Sequence, residues 1–144
     1  MDDIPSDDPH LRPTGVSDET VAATGKASEA LEWLERARGH LYSFHQMMGR
    51  ADILFGETVD GLRVAGHHEQ ADSLEREIVG RNVLQGRWTF QIIEEFDSSY
   101  YQPAKAAEQS IRDDLTQGRR HVYESEMKEA RRSHGLSGHE ARPE

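Results

Sequence analysis

The chemically capable residues of this chain cluster in the stretch HLYSFHQMMGRADILFGE, His40 to Glu57, where two histidines, an aspartate and a glutamate stand among apolar residues at helical spacing. Imidazole and carboxylate are the donors of helical iron, manganese and zinc sites, which would make this a ferritin-like or hemerythrin-like metal bundle. Such a centre needs donors converging from several helices, as Glu-x-x-His pairs do in di-iron bundles. The chain holds no Glu-x-x-His; the reversed form His121-x-x-Glu124 is the nearest. His40 and His45 are separated by about 140° around a regular helix, so they cannot serve one ion. His45 and Asp52 are seven apart and share one side of the helix.

Folding successive segments back on one another brings His40 level with Glu94 and Glu95, and Asp52 level with Asn82 and His121. The metal-ligand candidates are therefore His40, His45, Asp52, Glu94, Glu95, His121 and Glu124, with iron, manganese or zinc as the ion. The competing expectation for this polar layer is a satisfied hydrogen-bond network that sets helix register, and it is the preferred one. No catalytic residue is expected. Phosphate-cradling loops, dinucleotide fingerprints and nucleophile elbows are missing from the sequence, and without cysteine there is no thiolate chemistry. The reading is of a non-enzymatic protein.

The elements that position these groups follow from periodicity. Leu34, Leu41, Met48, Phe55 and Leu62 recur every seven residues, as do Ala30, Ala37, Phe44, Ala51, Thr58 and Ala65. Together they form a heptad seam of the coiled-coil kind. Trp33, His40, Met47 and Leu54 widen the stripe, as packing against two neighbours requires. The first helix is expected over about 28–65, starting at Ser28 or at the alternative cap Ser17, and ending at Gly66. A second helix is expected over about 69–97, with Gly80 to Trp88 a short break or, as preferred, a kink in it, and a third, more polar one over about 103–132. The fold class is all-α, an antiparallel three-helix bundle or long helical hairpin with disordered ends. Residues 17–132 form its single domain, between an acidic tail over 1–16 and a second tail over 133–144.

The 144 residues carry a formal net charge of -10. That charge argues against nucleic acid, since such affinity rests on cations that neutralise phosphate. No apolar run approaches the ~20 residues of a membrane span, and the amino-terminal stretch reads unlike a secretory signal, so a cytoplasmic location is expected. The remaining partners are proteins: a second copy of the chain, as in a homodimer, or a different one. In WTFQIIEEFDSSYY the aromatics lie on too many faces for one core, which marks Trp88, Phe90, Tyr100 and Tyr101 as interface candidates. The runs ERARGHLYSFHQMMGRAD and GRNVLQGRWTFQIIEEFDSSYY resemble small helical proteins of actinobacteria. The resemblance implies a cytoplasmic bacterial protein and brings with it no activity and no functional residue.

Overall fold

The computed structural model describes residues 3–142, so residues 1–2 and 143–144 of the two expected tails lie outside the described residues. The protein is all-α. Helices run over Asp18–Val64 (α1), His68–Glu77 (α2), Thr89–Phe96 (α3), Gln102–Thr116 (α4) and Val122–Arg131 (α5), with a π-helical stretch, Asp97–Tyr101, between α3 and α4. No helix among the described residues is long and apolar enough to cross a membrane. The chain divides into two compact units: Glu35–Tyr101, and the described residues up to Leu34 together with those from Gln102 onwards.

The unit over Glu35–Tyr101 is a helical hairpin. Its register is written in polar contacts: Arg38 pairs with Asp97, His45 with Thr89, Asp52 with the Gly80 N–H and Arg63 with Asp72. Gly66, at φ +86°, reverses the chain. Its N–H donates to the Arg63 carbonyl at 3.1 Å and the His67 N–H to that of Leu62 at 2.8 Å. This is the left-handed stop expected from the glycine, because only glycine takes that conformation without a Cβ penalty.

Three boundaries correct the expectations from sequence. The first helix starts at Asp18, not near residue 28, because the Ser17 hydroxyl oxygen accepts the Thr20 N–H and caps it. Gly25 does not interrupt it. The second helix is not one kinked rod: α2 ends at Glu77 and α3 begins at Thr89. Gly80 and Gly86 take φ of +72° and +80°, a single bridge pairs Leu84 with Arg87, and the Gln91 side chain accepts the Trp88 N–H to start α3. The third helix is likewise split, since Gln117, Gly118 and His121 all adopt left-handed backbone between α4 and α5.

The buried stripe of α1 is rotated by one residue from the expected seam. Leu34, Leu41, Met48 and Leu62 are half-buried as expected, but Phe55 is exposed. The other heptad position is taken by Leu31, Arg38, His45, Asp52 and Val59, and of the alanine-rich set only Ala51 is partly covered. Periodicity left this choice open, and hydrogen-bond partners on the returning segment decided it. In the other unit the first part of α1 packs with α4 and α5 around Val21, Thr116 and Val122. Residues 3–17 hold no helix or strand. Arg12 nonetheless makes a two-pronged pair with Glu126, at 2.8 and 3.0 Å, and the Leu11 carbonyl accepts from Arg119.

Candidate functional site

Each sequence-derived ligand has a place in one of the two units. His45 lies inside the hairpin, where its Nδ1 and the Thr89 hydroxyl share a hydrogen bond of 2.5 Å. Its ring stands edge-on to Phe90 at 6.5 Å. Asp52 is half-buried and accepts the Gly80 N–H at 2.8 Å. Both groups therefore hold the two arms in register. His40, Glu94 and Glu95 are exposed, and Glu95 pairs with Arg87. Among the described residues these five do not gather around a point where an ion would be held. Of the expected layer, Asp52 makes its hydrogen bond across the hairpin, and Asp52 and Asn82 line a groove.

His121 and Glu124 belong to the other unit and are joined there by Glu32, a residue the sequence reasoning missed. One donor atom from each lies within 4.8 Å of the others. His121 is held at φ 59° before α5, and its ring is 6.0 Å from that of His10. The His10 Nδ1–H donates to the Arg120 carbonyl at 2.6 Å. Glu32 is far from His121 in sequence and lies on no common repeat with it, so only the fold could pair them.

Of the aromatic interface candidates, Trp88, Phe90 and Tyr100 are exposed, Trp88 at 60%. Trp88 and Phe90 lean on each other at 5.3 Å, and Trp88 walls a shallow groove of about 270 Å³ with Asn82, Gly86, Arg87 and Gln91. Tyr101 is a correction. It is only 5% exposed, its hydroxyl donates to Glu35 at 2.5 Å, and its ring lies 4.5 Å below the Arg38 guanidinium. A tyrosine whose ring and hydroxyl are both engaged within its own unit braces the hairpin.

An apolar stripe lies along α1. Phe44, Met47 and Leu54 are exposed, Met47 at 63%, with Ala51 between the last two and Ala37 two turns before Phe44 on the same side. Beside this stripe a groove of about 310 Å³ is lined by Met48, Ala51, Phe55, Ile78 and Val83, with Asp52, Arg81 and Asn82 at its polar edge. No protein-family model, curated protein or solved structure matches the chain. Its function is therefore argued from this surface.

The Arg38 cluster has a defined pH response. Two hydrogen bonds from Arg38, at 2.8 and 2.9 Å, hold the Asp97 carboxyl below its ordinary range. The bond to Glu35, with burial second, pushes the Tyr101 hydroxyl above its own. A depressed carboxyl contributes stability above about pH 4 that is lost as pH falls through its folded pKa. A raised phenol contributes below about pH 10 and is lost as pH rises through its folded value. Urea midpoints measured across pH should therefore decline on both sides of a plateau. Asp97→Asn should flatten the acid limb and Tyr101→Phe the alkaline one. An unchanged acid limb in Asp97→Asn would show that this pair does not set it.

Proposed function

We propose that the protein is a non-enzymatic, cytoplasmic helical module whose work is association with a second copy of itself through the outer stripe of α1. The observation that carries this reading is the exposure of Phe44, Met47 and Leu54 along one side of α1, spaced three and seven residues apart. Such a stripe covers roughly 100° of a helix and leaves apolar area in water that a partner helix removes. Phe44 belongs to the heptad seam and Met47 and Leu54 to the positions that widen it, and the hairpin's own return segment leaves all three exposed.

A second copy suits the stripe because large and small side chains alternate within it. A two-fold axis across α1 sets Phe44, Met47 and Leu54 of one chain against Ala37 and Ala51 of the other, the knobs and gaps of close helix packing. The neighbouring groove, lined by Met48, Ala51, Phe55, Ile78 and Val83, accepts one large apolar side chain. The resemblance to small actinobacterial helical proteins is compatible with such a role.

Sedimentation of the full chain at tens of micromolar tests the proposal, with a dimer expected. Met47→Glu should weaken it by about 2 kcal/mol or more, roughly 30-fold in dissociation constant, as removal of a central anchor does. Since Met47 is exposed in the single chain, the variant should keep the helical circular dichroism of the parent. A parent chain that stays monomeric at that concentration refutes self-association.

A further inference from the structure

The unit that carries α4 and α5 pairs its acidic groups with arginine almost wherever they meet the interior. Glu108 is bonded to Arg112, Glu126 to Arg12, Glu129 to Arg132 and Asp8 to Arg142. Glu32 and Glu124 break this habit. They approach each other and His121 with one donor atom apiece inside 4.8 Å, yet among the described residues neither carboxylate has an ion pair or a side-chain hydrogen bond. Two carboxylates in this position repel each other, and neither has an arginine to offset the repulsion.

We propose that Glu32, His121 and Glu124 form a binding site for a divalent transition-metal ion, zinc foremost. Two carboxylate oxygens and one imidazole nitrogen are donors that zinc takes at about 2.0–2.2 Å, with water completing four-coordination. Donors around a tetrahedral ion of that size stand roughly 3.3 Å apart, so the present spacing needs only a modest closing of side chains. Glu32 and His121 are exposed and Glu124 is partly so, which leaves them free to make it and leaves the ion reachable from solvent. Imidazole in the set disfavours magnesium and calcium, which prefer all-oxygen shells. The positive end of α5 opposes a cation weakly, and Glu124 in its first turn counters that field. The site lies within one unit and stands whether or not the chain dimerises.

Calorimetric titration of the untagged full-length chain with zinc chloride at neutral pH tests the site. One zinc per chain is expected. Glu32→Gln, His121→Asn and Glu124→Gln should each weaken binding on the order of 100-fold, asparagine being chosen at 121 because it tolerates left-handed backbone. The double variant of His67→Gln and His68→Gln, altering the adjacent histidines at the start of α2, should bind as the parent does. Cobalt substitution should give the visible absorption of a low-coordinate ion in the parent and lose it in Glu124→Gln, whose helical circular dichroism should match the parent's. A parent chain that takes up no zinc, site variants that bind like the parent, or loss of binding in the His67/His68 variant would each overturn the assignment.

Discussion

Arg112→Ala is expected to destabilise the protein by about 3 kcal/mol, the cost of leaving a charge buried without its partner. The Glu108 and Arg112 side chains are only 10% and 8% exposed. Arg112 donates through Nε to Glu108 Oε1 at 3.1 Å, and Glu108 also accepts the Ser28 hydroxyl at 3.1 Å. A further nitrogen of Arg112 donates to the Gly118 carbonyl at 3.1 Å, tying down the left-handed turn that ends α4. Alanine removes the bonds from Arg112 and leaves the buried Glu108 carboxylate with the Ser28 hydroxyl but no counter-charge. Replacing both partners, Glu108→Leu with Arg112→Met, should cost much less than Arg112→Ala, since the desolvation of two ions disappears with them. Ser28 then loses its acceptor, worth about 1 kcal/mol. Chemical denaturation of the two variants reads the difference, and a double variant as unstable as Arg112→Ala would contradict it.

Gly25→Val is the second large effect, at about 2–3 kcal/mol. A Cβ at residue 25 would meet the Tyr123 Cβ at 2.9 Å and its Cγ at 3.0 Å. The Tyr123 Cβ is fixed by the backbone, so side-chain rotation cannot clear it and α5 must move away from α1. Overpacking of this kind costs about 1–3 kcal/mol, and the poor fit of a branched side chain leaves little helix-propensity gain to offset it. Gly39→Ala is the matched control. A Cβ there meets nothing within 4 Å, so alanine's better propensity should raise stability by about 1 kcal/mol. Opposite shifts in melting temperature are thus expected from two glycines of one helix. A Gly25→Val protein as stable as its parent would mean that α5 does not lie so close.

Glycine 25 also shows where composition misleads. In isolation it weakens a helix and suggests a start further along, near Ser28. In the folded unit its missing side chain is the reason Tyr123 fits, and close packing outweighs the propensity cost. Gly66 behaved differently: it lies after the last periodic residue, where a left-handed stop is needed, and local rules located the turn. Gly80, Gly86 and Gly118 also take positive φ; the first two signalled a kink or a short break without deciding between them, and Gly118 fell in a stretch read as continuous helix.

The three-four spacing of apolar residues was enough to establish helices, and folding successive segments back on one another put Asp52 near the level of Asn82, two residues from the Gly80 N–H it meets. Spacing says how far apart two groups are along a rod, since each residue adds a fixed rise and turn. It does not say which of two adjacent stripes meets a partner. That was decided by remote groups: the Asp97 carboxylate, the Thr89 hydroxyl and the Gly80 N–H, which draw Arg38, His45 and Asp52 inward and turn Phe44 and Met47 out. The meeting of Glu32 with His121 and Glu124 is of the same kind. A contact between segments so distant along the chain depends on chain reversal and on the rotation of each helix, and both come into being only when the helices pack.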